Sequence, residues 1–345
     1  MLPPEIAIRI AQECPPKQWP ILNTLPPFRR ALHDEYFWLL QCQRARLPAR
    51  GDCRSLYRQF YTTTRNWRDG RYRRRLYDTD GQVCLVLDGK DNRILSAALP
   101  TDGAHFWDLQ TGTRILRVGD NVCAAAIEGN TLVCGTRDGL LLMRDLREAG
   151  CIRRIVAHQG ELSVLALRAD FVVTGGSDGI AKVWDLRGTL GGAIRSKHCH
   201  SPISAVAISR DREIACGTVN GSVHLFDRQK AAPSAVPRSA VNCMCFQRDH
   251  LIIGCDDGHI HKLFPDGALR NAVVGTSAIV SFHKSEQRLV AGHADGLISI
   301  HHDLQALDTA TYIHAGHSIV WQVFADQTRL LSSSLDRQLT LYDFS

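Results

Sequence analysis

A turn of the Asp-Gly type recurs along this chain at a nearly constant interval. The first residues of successive turns are separated by 36, 40, 42, 37, 38 and 41 positions. A period of about 40 residues indicates a repeat architecture before any single residue is considered. The seven turns are Asp102-Gly103, Asp138-Gly139, Asp178-Gly179, Asn220-Gly221, Asp257-Gly258, Asp295-Gly296 and Asp336-Arg337.

The repeat between His158 and Leu186 is the most complete. Its apolar and β-branched runs predict three short strands, and an Asp-Gly pair tolerates the positive φ that a tight hairpin needs. The predicted elements are strands at 162–167, 171–175 and 180–184, with a turn at 177–179.

This segment resembles the WD repeat, including the dipeptide Trp184-Asp185. The resemblance implies a mainly β fold, a seven-bladed WD-repeat β-propeller. It also implies a buried polar tetrad made by His158, Thr174, Asp178 and Trp184. Such a network must be complete, because a half-paired buried carboxylate is costly. The other repeats lack one or more of the four residues and are expected to depend on packing.

The seventh repeat ends just after its third strand, predicted at 338–344. A blade needs four strands, so the sequence predicts that the missing one lies within 70–78, ahead of the first inner strand at 83–87. A ring closed by both parts of the chain has no long free edge. Removing the C-terminal strand is therefore expected to unfold the ring.

The first forty-odd residues do not follow the repeat. Prolines and an acid at residues 2–6 are a helix-start signal. A broken apolar segment follows, and a further helix is predicted over 28–46. Pro26 and Pro27 are expected to shorten or kink a helix.

Leu-Pro-x-Glu-Ile at 2–6 and Asp34-x-x-Phe37-Trp38 resemble an F-box. The middle of the segment, Leu-Pro-Pro-Phe-Arg at 25–29, departs from the family pattern. An F-box-like start, a basic linker and seven WD-like repeats together resemble the F-box/WD-repeat family, and the linker at 65–71 resembles that of dactylin-type members. The predicted layout is a small all-α F-box-like module at 1–45, an Arg-rich helical linker at 46–69 and the propeller at 70–345.

The resemblance implies a non-catalytic substrate receptor of a Skp–cullin–F-box ubiquitin ligase, which leads its substrate to proteasomal degradation. The F-box would dock on a Skp-type adaptor and, through it, on a cullin–RING ligase, while the propeller would present a protein substrate. An alternative for each adaptor-contact residue is that it only holds the helices together, since apolar periodicity marks burial and not its partner. The adaptor-contact residues implied are Leu2, Pro3, Ile6, Ile10 and Trp38.

Some family members read phosphorylated segments with arginines that precede the turn Asp. The matching positions here include Arg137, Ser177 and Asp256, and Arg137 is the one base among the seven. A phosphate needs two or more charge-assisted donors. A substrate segment that is not phosphorylated is therefore expected, and a solvated loop is the alternative for Arg137.

The positive charge is concentrated near the N-terminus. Between Arg44 and Arg75, eleven arginines meet only Asp52 and Asp69. Basic composition without a reading motif is weak evidence for nucleic-acid binding, so nucleic acid is not an expected partner. The aromatic residues nearby are expected to pack the linker.

The remaining motifs favour no enzyme, cofactor or metal. The twelve cysteines include no Cys-x-x-Cys pair and predict free thiols in a reducing compartment. His259 and His261 share one side of a strand, which supplies two ligands at most where zinc would want four, so no metal site is predicted. No membrane span or signal peptide is expected. The expected location is the cytoplasm, with nuclear entry permitted by the run Arg73-Arg74-Arg75.

Three hypotheses of function remain open. The first is the ligase substrate receptor, favoured by the domain order. The second is a non-ligase WD-repeat scaffold, favoured by Pro26-Pro27. The third is an RNA-associated propeller, which depends on the arginine run alone.

Overall fold

The computed structural model describes most of the chain, and its described residues divide into two compact units. One unit is Met1–Tyr72 with Phe344–Ser345, and the other is Arg73–Asp343. The residues described are 4–45, 47, 52–78, 83–88, 93–97, 104–108, 111, 113–147, 152–187, 192–226, 239–248, 250–273, 277–285, 288–303, 307 and 310–345.

The first unit is helical. None of the helices in the described ranges has the length and apolar character needed to cross a membrane. The elements are α1 Pro4–Glu13, a 3-10 turn at Pro16–Gln18, α2 Trp19–Leu22, α3 Pro26–Ala31, α4 Glu35–Arg44 and α5 Cys53–Asp69.

The single helix predicted over 28–46 is wrong, because the structure divides this segment into α3 and α4. The Asp34 carboxylate accepts from the backbone N–H of Tyr36 at 2.7 Å and caps a new helix. Pro26 opens α3 instead of breaking it. A proline in the first turn is tolerated because its missing N–H would have no partner inside the helix.

The helical unit is held by a cluster of aromatic rings. Trp19 lies edge-on to Phe37 and to Trp38, with ring centroids 5.4 and 5.3 Å apart. Ala11 and Leu32 complete the buried centre. Edge-to-face rings add to the stabilisation that apolar burial already supplies.

The helix α5 has a signal at each end. The Asp52 carboxylate accepts from the N–H groups of Arg54 and Ser55, each at 3.1 Å. Gly70 ends the helix with φ 65°, a left-handed conformation that glycine adopts without steric cost.

The second unit is built from antiparallel strands. The strands are β1 Arg73–Asp78, β2 Val83–Asp88, β3 Arg93–Ala97, β4 Ala104–Asp108, β5 Thr113–Gly119, β6 Val122–Glu128, β7 Thr131–Thr136, β8 Leu140–Asp145, β9 Ile152–Val156, β10 Val164–Arg168, β11 Phe171–Gly175, β12 Ile180–Asp185, β13 Arg195–His198, β14 Ile203–Ile208, β15 Ile214–Thr218, β16 Val223–Leu225, β17 Val241–Gln247, β18 His250–Cys255, β19 His259–Leu263, β20 Leu269–Val273, β21 Ile279–Lys284, β22 Leu289–His293, β23 Leu297–His301, β24 Ala310–His314, β25 Val320–Ala325, β26 Arg329–Ser334 and β27 Gln338–Asp343.

These strands form seven sheets in the described ranges. Sheet 4 has three described strands, and residues 227–238, which follow its third strand, lie outside the described part of the chain. The sheets are sheet 1 (β2–β5), sheet 2 (β6–β9), sheet 3 (β10–β13), sheet 4 (β14–β16), sheet 5 (β17–β20), sheet 6 (β21–β24) and sheet 7 (β25–β27 with β1).

The seven sheets of this unit form a closed circle. Each innermost strand packs beside the innermost strand of the next sheet, and β25 packs beside β2. In sheet 7 the strand β1 pairs antiparallel with β27, with Leu76 opposite Thr340. The sequence places this closing strand within 70–78, and the structure supplies it from Arg73–Asp78.

Polar side chains join neighbouring sheets near the start of the innermost strands. Each donates to a backbone carbonyl of the next sheet or of the residue that leads into it. Asn242 reaches the carbonyl of Ile279 at 3.0 Å. The sulfur of Cys123 lies 3.2 Å from the carbonyl oxygen of Leu162.

Candidate interaction surfaces

The structure brings together the four residues that the WD resemblance implies as a tetrad. Thr174 Oγ1 lies 2.8 Å from His158 Nε2 and accepts from Trp184 Nε1 at 2.9 Å. His158 Nδ1 lies 3.0 Å from an Asp178 carboxylate oxygen. A carboxylate can only accept, so Nδ1 carries the proton and Nε2 accepts from the Thr174 hydroxyl. The chain of hydrogen bonds is complete and holds the hairpin turn of sheet 3 to the preceding loop.

The charges in this tetrad are set by its surroundings. Burial lowers the pKa of His158, against the opposing attraction of the Asp178 carboxylate, so the ring is neutral. Burial alone would raise the pKa of Asp178. The backbone N–H groups of Ile180 and Gln159, together with His158, hold that pKa below its usual value. These hydrogen bonds give the tetrad a structural role in sheet 3.

Sheet 6 contains a different buried network that the sequence reasoning missed. Ser299 Oγ lies 2.8 Å from His293 Nε2 and 3.1 Å from His301 Nε2. His301 Nδ1 donates to the carbonyl of Leu307 at 3.0 Å. Burial lowers the pKa of His301 to about 4. The signal available in the sequence is the alternation of His293, Ser299 and His301 at even spacings, which places them on one face of two paired strands.

The residue before each hairpin turn occupies the same place in six sheets. Its backbone N–H donates to a carbonyl at the entry of the innermost strand, at distances between 2.9 and 3.1 Å. We call these residues the rim positions, because the shared hydrogen bond puts them at one end of every sheet. Thr101, the corresponding residue of sheet 1, lies outside the described residues. The six are Arg137, Ser177, Val219, Asp256, Ala294 and Leu335.

The chemistry of the rim positions is mostly neutral or apolar. Arg137, Ser177 and Asp256 are exposed, as a partner-binding role would require. Among the described rim positions Arg137 is the one cation, and Asp256 carries the opposite charge. A single arginine supplies less than the multiple charge-assisted donors that a phosphate needs.

Sheet 7 presents the largest apolar side chains near the rim. Leu335 and Trp321 are each 38% exposed. The N–H of Leu335 donates to the carbonyl of Ile319 at 3.0 Å, and Trp321 lies two residues further along the same strand entry. Where Asn242 and Cys123 join neighbouring sheets, the equivalent position in sheet 7 carries Trp321. Exposed tryptophan and leucine side chains at one end of a sheet are typical of a protein-contact site.

Of the five implied adaptor-contact residues, the structure describes the side chains of two, Ile10 and Trp38. Leu2 and Pro3 lie outside the described residues, and the side chain of Ile6 does also. Ile10 is 39% exposed. Trp38 is 4% exposed, and its indole N–H donates to the carbonyl of Leu32 at 2.8 Å. The structure therefore corrects the surface role given to Trp38, because its ring packs in the core of the helical unit.

Other apolar side chains of the helical unit lie at its surface. Ile21 is 68% exposed, and Leu25 and Tyr36 are also largely exposed. Sequence reasoning missed them, since a single apolar residue on a short helix carries no periodicity that separates core from surface.

Comparisons with known proteins agree with this architecture. Residues 149–185 match the family described as WD domain, G-beta repeat. The chain is 26% identical to WD repeat-containing protein 55 of Arabidopsis thaliana over 48% of its own length and 50% of the relative. It is 28% identical to autophagy-related protein 16 of the same plant, over 47% of the chain and 34% of the relative.

A shorter stretch of the chain is similar in sequence to a human protein. It is 31% identical to F-box/WD repeat-containing protein 8 of Homo sapiens over 87 residues, which is 24% of this chain and 14% of the relative. The chain thus spans half or less of the length of each of these curated relatives.

Solved structures share the fold. The computationally designed Ika8 protein has a TM-score of 0.62 at 22% identity, covering 75% of this chain and 83% of the designed chain. A chain in the crystal structure of the mitotic checkpoint complex has a TM-score of 0.67 at 19% identity, covering 78% of this chain and 90% of its own. The matched repeat and the two solved structures thus agree with the circle of antiparallel sheets described above, a WD-repeat architecture.

Proposed function

We propose that this WD-repeat protein is a substrate receptor of a Skp–cullin–F-box ubiquitin ligase. Its helical unit binds a Skp-type adaptor, and its sheets hold a protein substrate. The order of the two units and the short match to F-box/WD repeat-containing protein 8 support this proposal. The linker at 65–71 further favours a dactylin-type member. We place the protein in the cytoplasm, with nuclear entry through the Arg73–Arg75 run.

The observation that carries the proposal is the exposure of several large apolar side chains on the helical unit. Folding buries Trp38 and Phe37 but leaves Ile10, Ile21 and Tyr36 in solvent. Large apolar side chains that folding does not bury are candidates for a contact with another protein. A helical adaptor partner would bury them without any change to the core.

The substrate contact is assigned to sheet 7. Trp321 and Leu335 provide an apolar anchor, and the rim has too few cations for a phosphorylated segment. The substrate segment is therefore unphosphorylated and contains at least one large apolar residue. The receptor contributes by tethering, which raises the effective concentration of substrate lysines near the conjugating enzyme.

The second candidate is a WD-repeat scaffold without a ligase role. The burial of Trp38 favours it, because the residue that most resembles an F-box adaptor contact is occupied in the core. Both candidates use the same sheets for the partner. They differ in whether the helical unit binds the adaptor.

Binding of the full chain to purified Skp-type adaptor separates the two candidates. If the protein is a ligase receptor, we expect the full chain to bind the adaptor. We also expect Ile21→Asp to weaken this affinity at least about tenfold, because the substitution places a charge in an apolar contact. Gln43→Asp adds the same charge at an exposed polar position of α4 and should leave the affinity unchanged. A folded full chain that does not bind the adaptor would refute the receptor and favour the scaffold.

A further inference from the structure

One hairpin of sheet 5 collects donors of three kinds. Cys255 ends β18, Asp257 lies in the turn, and His261 lies on β19. One ligand atom from each of the three lies within 4.8 Å of the others. Sequence reasoning counted only the histidines of this segment and therefore found too few ligands.

His261 is held in the state that a metal ligand needs. It is 5% exposed, and its Nδ1 lies 2.7 Å from Asn271 Oδ1 on the neighbouring strand. An amide oxygen only accepts, so Nδ1 carries the proton and Nε2 keeps its lone pair. Nε2 is buried and has no hydrogen-bond partner within the described part of the chain. Metal-binding histidines are usually oriented by such a hydrogen bond from the other ring nitrogen.

In sheet 5 the turn carboxylate is Asp257, and it lacks the histidine partner that the turn carboxylate of sheet 3 has. There, His158 from the preceding loop pairs with Asp178. The sequence between His224 and His250 contains no histidine that could play this part for Asp257. The carboxylate instead faces its own hairpin, where an oxygen lies 3.3 Å from the Nδ1 of His259.

His259 offers a fourth ligand. It stands two residues before His261 on the same side of β19, and the two rings are 6.0 Å apart at an angle of 28°. Its Nδ1 is shielded from solvent. The ring is partly exposed and lies close to both Asp257 and His261, which makes it the candidate for a fourth ligand.

We propose that Cys255, Asp257, His259 and His261 form a binding site for a divalent transition-metal ion, with Zn²⁺ the best match. Thiolate and imidazole donors suit zinc and disfavour Mg²⁺ and Ca²⁺. Tetrahedral zinc places its sulfur and nitrogen ligands about 3.5 Å apart. The donor atoms therefore need to close by about 1 Å. Asp257 lies in the exposed turn, where its side chain can rotate, whereas Cys255 and His261 are buried.

The ion would fix the hairpin that carries the rim residue Asp256. On binding, the Cys255 thiol releases its proton to solvent and the sulfur takes the metal as its partner. No electron is transferred. The consequence is a sheet 5 rim whose rigidity depends on metal, although the circle of sheets itself does not.

Metal titration of the full chain tests the site. After chelator treatment and dialysis, Co²⁺ is added as a spectroscopic probe and then displaced with Zn²⁺. We expect one equivalent of Co²⁺ to produce a thiolate-to-metal charge-transfer band that Zn²⁺ removes. Cys255→Ser should abolish the band, and His261→Gln should weaken binding about 10- to 100-fold.

Matched variants keep the result interpretable among twelve cysteines. Cys14→Ser in the helical unit and His198→Gln on β13 should leave the band and the affinity unchanged. Because Cys255 is buried and its variant could unfold, Asp257→Asn at the exposed turn serves as a second test with circular dichroism to verify folding. A full chain without the band, a folded Cys255→Ser that keeps the band, or a folded Asp257→Asn that binds with unchanged affinity would overturn the proposal.

Discussion

Ser163 Oγ lies 2.7 Å from the carbonyl oxygen of Ile203, across the boundary between sheets 3 and 4. The hydroxyl is also 3.3 Å from the carbonyl of Gly175 in its own sheet. Ser204 makes the equivalent contact with Val241 across the next boundary. At each of these two sheet boundaries, one serine hydroxyl thus links two innermost strands by a hydrogen bond.

Ser163→Ala is expected to lower the free energy of unfolding by about 1 kcal/mol, the usual net value of one hydrogen bond. Ser196→Ala, at an exposed position of β13, should change it by less than about 0.5 kcal/mol. Urea unfolding of both variants provides the measurement. Equal effects of the two substitutions would mean that the hydroxyl of Ser163 does not couple the sheets.

Thr174→Val tests the tetrad of sheet 3. It keeps the shape of the side chain but leaves Trp184 Nε1 and His158 Nε2 without partners in a buried place. The expected loss of unfolding free energy is about 3 kcal/mol, since each unpaired buried group costs about 1–3 kcal/mol.

The helical unit supplies the control for that substitution. Thr63 is buried on α5, and its hydroxyl has no hydrogen-bond partner in the described structure. Thr63→Val should therefore be neutral or stabilising, because it removes an unpaired polar atom. A comparable destabilisation by both valine substitutions, measured by thermal unfolding, would contradict the hydrogen-bond account of the tetrad.

The network of sheet 6 predicts acid sensitivity. Burial lowers the pKa of His301 to about 4, so the folded protein resists a proton that the unfolded chain accepts below its ordinary value of 6.5. This contribution to stability is complete above pH 6.5 and is lost as the pH falls towards 4. Between pH 7 and pH 5 the expected loss from this residue is about 2 kcal/mol.

The measurement is the pH dependence of the unfolding free energy in the full chain and in His301→Leu. The variant should show a shallower decline over that range, whatever its stability at pH 7. Parallel curves for the two proteins would show that the pKa of His301 does not differ between the folded and the unfolded chain. His293, whose pKa burial also lowers, contributes in the same direction and is present in both proteins.

Turn residues carried most of the fold information that the sequence contains. Gly179 and Gly258 adopt φ 71° and 81°, the conformation that an Asp-Gly hairpin demands. Arg337 takes φ 69° at the same place in the seventh turn, so the repeat persists without glycine. The sequence also predicted a closing strand within 70–78, because the seventh repeat supplied only three of the four strands that a sheet needs.

Side-chain partners could not be predicted in the same way. The sequence shows that Trp38 and Ile21 are apolar, but only packing decides that Trp38 is buried and Ile21 exposed. The Asn271–His261 hydrogen bond likewise depends on which residues face one another across β19 and β20. The strand register brings the donors together around Cys255, and composition alone does not reveal this.

The closing sheet makes a prediction about register that cysteine pairs can test. Leu76 is opposite Thr340, and Arg75 is opposite Leu341, across β1 and β27. Directly opposed residues of an antiparallel pair lie about 4.5–5.5 Å apart at Cα, within the range of a disulfide. At least one of the double variants Leu76→Cys/Thr340→Cys and Arg75→Cys/Leu341→Cys should cross-link under mild oxidation.

The mismatched pair Leu76→Cys/Leu341→Cys is the control, because neighbouring strand residues point to opposite faces. Peptide mapping by mass spectrometry distinguishes the engineered bond from bonds made by native cysteines. We expect the cross-linked peptide in an in-register variant and none in the mismatched one. A bond in the mismatched variant would indicate a one-residue slip that turns every side chain of β1 to the other face, while its absence from both in-register variants would mean that β1 does not close sheet 7.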